Sequence, residues 1–108
     1  MAAYVIAQLR VHDVETYRRY ALLVADTVAP FGGRLIVADD KPTVMEGRPP
    51  FPRTVIGEFA STTAARAWYE SDAYQAIQPL RAASTEGTVF VAEGFGLPDR
   101  PQTAAELA

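Results

Sequence analysis

Cysteine is absent from the 108-residue chain, and histidine, tryptophan and lysine occur once each, as His12, Trp68 and Lys41. Without cysteine there is no disulfide framework and no thiolate metal site, and one imidazole is too few for an ordinary zinc centre. Any metal would have to be held by carboxylates, and the expectation is that there is none. Positive charge is also scarce. Ten basic residues against thirteen acidic ones leave a net charge of −3, without the basic stripe that draws in nucleic-acid phosphates. No apolar run approaches the roughly 20 residues that a membrane helix needs. The first residues, Met1 to Ala7, carry no basic group and alternate into Gln8 and Arg10, which reads as a strand and not as a secretory leader. These exclusions point to a cytoplasmic protein whose partners are neither nucleic acid nor membrane.

What is present has the periodicity of a small α+β domain. Val5, Ala7, Leu9 and Val11 fall on one face of a first strand, with Tyr4, Ile6, Gln8 and Arg10 on the other. Asp13 supplies an N-cap, and Val14, Tyr17, Ala21, Val24 and Val28 recur at helical spacing until Pro30 and Gly32-Gly33 stop the helix. Arg34 to Ala38 is a second strand. Asp39 to Arg53 is a connection with Pro42, Pro49, Pro50 and Pro52 around a short extended piece, Thr43 to Glu46; proline keeps it out of a central strand. Thr54 to Phe59 is a third strand, and Ser61 caps a second helix whose Ala64, Ala65 and Trp68 share a face. Asp72 and Gln75 have the spacing of a capping box for a further turn, which Pro79 should kink or restart. Thr88 to Glu93 is the last strand.

The order βαββαβ is that of the ferredoxin-like fold, with both helices on one face of an antiparallel sheet. The other face carries large apolar groups, so a second copy is expected to cover it in a two-fold dimer. The domain should occupy residues 1–95, and 96–108 should form a tail with room for a small helix opening at Thr103 with Glu106.

Tyr17 and Tyr20, Gly32-Gly33-Arg34, Glu46-Gly47, Glu58-Phe59, Ala65 through Trp68-Tyr69, Ser71, Tyr74, Arg81 and Glu93-Gly94, taken in this order, carry a family likeness from about Ala3 to Gly94. In them the chain resembles the domain-of-unknown-function family 1330, within the dimeric α/β-barrel superfamily. The resemblance implies a ferredoxin-like homodimer and brings no established reaction. The wider superfamily contains cofactor-free monooxygenases, haem-degrading enzymes, lactone isomerases and small binding proteins, so fold does not choose among them.

Polar residues within apolar strands are the first site candidates. Gln8, Arg10, Arg34 and Glu58 each interrupt such a segment, and a buried charge is costly without a partner. The topology puts the third strand between the first and second, so Glu58 could reach Arg10 or Arg34. Together they would form either a pocket, with arginine gripping a carboxylate and Glu58 as a base of raised pKa, or an ion pair stitching the sheet or dimer. His12, the one imidazole, sits where a strand turns into a helix and reads as a general base or as a turn histidine. Tyr17, Tyr20, Trp68, Tyr69 and Tyr74 are either core or the lining of an apolar pocket whose hydroxyls and indole N–H orient a substrate. Tyr20 is the preferred pocket residue, because it lies about 60° off the stripe that Tyr17 occupies. Arg81 could clamp an anion or complement a helix C-terminus. Gly32-Gly33 follows a helix and precedes a strand, the reverse of a phosphate loop, and Ser71 reads as turn chemistry.

The expected protein is a homodimer with a pocket between helices and sheet. As an enzyme it would act on a small anionic or aromatic metabolite without a tightly held cofactor, with Glu58 or His12 transferring protons, Arg34 or Arg81 anchoring the substrate, and Tyr20, Trp68 and Arg10 lining its site. The alternatives are a non-catalytic binding module using the same pocket and an assembly domain whose polar strand residues form dimer ion pairs.

Overall fold

In the computed structural model, which describes residues 1–95, the elements run β1 (Ala3–Val11), α1 (Val14–Val28), a 3-10 turn (Ala29–Phe31), β2 (Arg34–Asp39), β3 (Arg53–Phe59), α2 (Thr62–Glu70), α3 (Asp72–Ser84) and β4 (Thr85–Glu93). The strands form one sheet in the order β2-β3-β1-β4, with every neighbouring pair antiparallel. This is the ferredoxin-like α+β arrangement, with the second crossover split into two helices. The expected helix at Thr103 and Glu106 lies outside the described residues. Among the described residues no helix is long and apolar enough to cross a membrane.

Asp13 caps α1 by accepting from the Thr16 amide at 3.1 Å and the Thr16 hydroxyl at 2.7 Å, and Ser61 caps α2 by accepting from the Ala64 amide at 3.1 Å. The cap of α3 falls one residue before the expected box. Ser71 accepts from the Tyr74 amide at 3.2 Å and donates its own hydroxyl to the Trp68 carbonyl at 2.6 Å, so one side chain closes α2 and opens α3. The Gln75 side-chain amide is thereby free to donate to the Tyr69 carbonyl at 2.7 Å. Pro79 does not divide the helix, which continues to Ser84. Pro79 and Gln75, whose carbonyl loses its intrahelical donor, are both exposed, so water can serve that carbonyl.

Alternation puts Ala3, Val5 and Leu9 of β1 and Phe59 of β3 on the inner face, where they meet Val24 and Val28 of α1, Trp68 of α2 and Tyr74 of α3. The buried stripe of α1 is Tyr20, Val24, Thr27 and Val28, rotated from the expected one, and Val14 is 75% exposed. The rotation follows from packing: α1 lies against α3 as well as over the sheet, so its dry side is the wedge between them. Two glycines are dictated by close approach. A Cβ on Gly33 would stand 2.5 Å from the Phe59 ring. Gly87, at φ 147°, has the Gln8 carbonyl where its Cβ would be.

By register, the outer face of the sheet carries an apolar row, Val37, Ile56, Ile6 and Phe90. Arg34, Glu58 and Tyr4 flank it on one side, and Thr54, Gln8 and Thr88 on the other. Among the described residues no helix covers this face, and Phe90 is 44% exposed.

Candidate functional site

The polar strand residues divide between the two faces of the sheet. Glu58 pairs in register with Arg34 on the outer face, and one Glu58 oxygen accepts from Arg34 Nε at 3.1 Å and lies 3.1 Å from Nη2 in an ion pair. Arg10 donates to Glu86 at 3.1 Å and to the Pro50 carbonyl at 3.2 Å, and its guanidinium lies 5.7 Å from the Phe51 ring centre, tying the β2–β3 connection to β1. Both pairs are partly solvated. His12 is exposed, and its backbone amide donates to the Ser84 carbonyl at 2.9 Å, joining the end of β1 to the end of α3. The structure thus places Glu58, Arg34, Arg10 and His12 away from the space between helices and sheet.

That space is a cavity of about 180 Å³ between the inner sheet face, α1 and α3, which contributes Tyr74 from its first turn and Arg81 from its last. Its floor is made small by Ala7, Ala38 and Gly57. Gly57 is not demanded by the backbone, since a Cβ there would meet its nearest neighbour, a Leu35 methyl, at an ordinary 3.5 Å; its lack of a side chain leaves room above β3. The walls are Val5, Leu9, Val24, Phe59 and Trp68.

The polar groups of the cavity are two arginines and three phenols. Arg53 Nε donates to the Tyr17 hydroxyl at 3.1 Å, with the guanidinium 5.4 Å from the Tyr17 ring centre. Arg81 Nε donates to the Tyr74 hydroxyl at 3.2 Å, and the Tyr74 and Tyr20 hydroxyls are 3.0 Å apart. Burial, the neighbouring Tyr74 and its hydrogen bond hold the Tyr20 phenol well above its usual range, so it is a protonated donor at any physiological pH. Burial works against the charge of Arg81, but the hydrogen bond that it donates to Tyr74 and the surrounding phenols more than offset it, leaving a permanent cation. Among the described residues no carboxylate or imidazole lines the cavity, and the ion pairs are those of Arg10 and Arg34. Both cavity guanidiniums therefore keep their Nη groups for something other than a protein carboxylate.

Of the residues singled out from sequence, the fold brings Arg81, Tyr17, Tyr20, Trp68 and Tyr74 to this cavity. Trp68 offers a ring face and no donor, because its indole N–H already donates to Thr27 Oγ1 at 3.0 Å, which in turn donates to the Val24 carbonyl at 2.7 Å. Tyr20 is more deeply buried than Tyr17, since the wedge between sheet and α3 is centred on it. Arg53 escaped the sequence reading, which ended the proline-rich connection at that residue. Its signal was the continuing alternation Arg53, Val55, Gly57, Phe59, all on the inner face. Among the described residues no cluster of three or more His, Cys, Asp or Glu is placed to hold a metal ion.

Solved structures resemble this fold at low identity. A protein of unknown function from Rhodopseudomonas palustris superposes with a TM-score of 0.72 at 13% identity over 89% of this chain and 84% of its own. A dimeric ferredoxin-like protein of unknown function from Jannaschia sp. CCS1 gives 0.72 at 12% identity over 87% and 100%. SnoaB, described as a cofactor-independent oxygenase from Streptomyces nogalater, gives 0.60 at 10% identity over 92% and 98%. No curated protein matches the chain. The family model for the domain of unknown function DUF1330 matches residues 2–95, and the chain belongs to that family.

Proposed function

We propose that this protein binds a small organic anion with an apolar, single-ring-sized body in the cavity between sheet and helices, and that it does so as a homodimer. The observation that carries the reading is the pair of cavity guanidiniums, Arg53 and Arg81, each oriented by a tyrosine and neither matched by a carboxylate among the described residues. Each guanidinium is half-buried at an apolar chamber and only partly solvated, so a bound carboxylate or phenolate supplies the counter-charge that the protein does not. The volume suits the body, since an apolar cavity of about 150 Å³ takes up benzene and this one measures about 180 Å³. The dimer rests on the outer apolar row, which no element among the described residues covers, and on the fold's dimeric neighbours.

Calorimetric titration of benzoate and its neutral isostere benzamide tests the binding reading. Benzoate should bind at least about tenfold more tightly, a difference of about 1.4 kcal/mol, and Arg81→Met should remove the preference. Equal affinities would contradict it. Cofactor-free turnover of the bound anion, the kind of activity named for the Streptomyces nogalater neighbour, is a second reading. It is favoured by a chamber whose protic groups are phenols and guanidiniums, which stabilise an enolate or phenolate and leave reaction to the substrate itself. Dioxygen uptake with an enolisable aromatic ketone such as 2-tetralone, above the buffer rate, supports turnover; no uptake on a ketone that binds leaves a binding module.

A further inference from the structure

The hydrogen bonds between Arg81, Tyr74 and Tyr20 have a direction, and it ends in the cavity. Arg81 can only donate, so the Tyr74 oxygen is an acceptor from it at 3.2 Å. The 3.0 Å contact between Tyr74 and Tyr20 can run either way. If Tyr20 donated, the Tyr74 oxygen would take two donors and its own proton would need another acceptor. Tyr74 is 1% exposed, and among the described residues its hydroxyl is bonded to Arg81 and Tyr20 alone. A buried donor without an acceptor is expensive, so the arrangement that satisfies Tyr74 has it donate to Tyr20. The Tyr20 proton is then the free end. Tyr20 is itself 7% exposed, has no second hydroxyl partner among the described residues, and lines the cavity. Three donors aligned from a cation polarise one another, which strengthens the last.

We infer that Arg81, Tyr74 and Tyr20 form a one-way donor relay whose terminal hydroxyl, on Tyr20, recognises an oxyanion of the ligand, so that the site selects phenolates and enolates over their neutral phenol and keto forms. This rests on the anion-binding reading and adds to it the atom that does the selecting. The bound phenol loses its proton to solvent, Tyr20 keeps its own, and no other atom changes hands. The titratable or charged groups facing the cavity are Tyr17 and Tyr20 from α1, Arg53 from β3, and Tyr74 and Arg81 from α3; β1, β2 and β4 present apolar side chains and α2 the ring of Trp68. None of these is an anion that would oppose a phenolate. The raised pKa of Tyr20 is consistent with its role, because it remains a donor over the pH range in which a ligand phenol ionises.

The probe is 4-nitrophenol, whose phenolate is coloured. Titrated against pH on the full-length protein at saturating protein, it should ionise about one unit lower than free in buffer, corresponding to a tenfold preference for the phenolate. In Tyr20→Phe most of that shift should vanish, and benzoate, which keeps both arginines, should bind more weakly but measurably. Bound 4-nitrophenol with an unshifted or raised pKa would overturn the inference and, with benzoate binding intact, spare the anion pocket. Full retention of the shift in a folded Tyr20→Phe would overturn the role of Tyr20. If neither probe binds, the pocket reading falls and the relay with it. Should Tyr20→Phe fold poorly, wild-type protein labelled at tyrosine Cζ decides the matter: 4-nitrophenolate must move the Tyr20 resonance more than that of Tyr4 on the outer face, and equal movement refutes the contact.

Discussion

Replacing Tyr74 by Phe deletes one oxygen, and the structure makes that oxygen worth more than its size. It accepts from the Arg81 guanidinium and meets the Tyr20 hydroxyl, and its side chain is 1% exposed. Hydrogen bonds to a charged group contribute about 1.5–3 kcal/mol and neutral ones about 0.5–1.5 kcal/mol. Arg81 is only half-buried and the cavity admits water, so the lower end of each range applies and Tyr74→Phe should destabilise by about 2 kcal/mol. For a domain of this size that lowers Tm by about 8–16 °C. Tyr20→Phe leaves the Arg81 bond intact, but besides the lost hydrogen bond it strands the buried Tyr74 hydroxyl donor, and together these should cost about 1 kcal/mol. The double variant should cost no more than Tyr74→Phe, because the second change removes a hydroxyl that the first has stranded; the coupling in the cycle is about 1 kcal/mol. Urea unfolding at one fixed protein concentration measures all three, with an unchanged slope showing that the native compactness is retained. Equal costs for the two single variants, or strict additivity, would refute the ordering Arg81 to Tyr74 to Tyr20.

Other perturbations test other parts of the account. Gly87→Ala puts a methyl into the Gln8 carbonyl at the β1–β4 ladder and should lower stability by about 2–3 kcal/mol, read from the urea midpoint; a loss below about 0.5 kcal/mol would contradict the close approach. Glu58→Gln removes a partly solvated ion pair on the outer face and should change stability by less than about 1 kcal/mol and leave benzoate affinity unchanged in calorimetry, whereas a large loss of affinity would bring Glu58 into the site. Asp13 is held below the usual carboxylate range by its hydrogen bonds to the Thr16 hydroxyl and amide. Its contribution to stability is therefore full above the unfolded pKa and is lost as pH falls through the lower folded value. Asp13→Asn should flatten the acid limb of a Tm-against-pH profile below about pH 4 and leave its neutral part nearly parallel to wild type; an unchanged acid limb would contradict the cap.

Strand order, the buried face of α2 and two of the three helix caps are legible in the sequence because they rest on periodicity and on side chains that reach their own backbone, whereas the face of α1 is turned by its packing on α3. Asp13 and Ser61 act within three residues of themselves. Ser71 was harder to place because it serves two helices at once, and a capping rule written for one helix puts the start at Asp72. The site was less legible. A strand residue's type shows that it is unusual, but the face it joins depends on register. Topology offers Glu58 either Arg10 or Arg34 as a partner, and only the sheet register shows that it meets Arg34 and that this pair points outward while Arg53, in the same strand as Glu58, points in. The direction of the phenol relay depends on which hydroxyls lack a second partner, a tertiary property with no counterpart in spacing.

Chemical-shift mapping of benzoate on protein labelled with ¹⁵N and at tyrosine ring carbons tests the central claim most directly, because it reports where an anion sits as well as whether it binds. The account predicts saturable shifts at the Arg81 and Arg53 Nε–H groups and the Tyr20 and Tyr74 rings, with Arg34 Nε–H and the Ile56 amide unmoved. Shifts centred on Arg34 and the outer apolar row, or none at any of these sites, would contradict it.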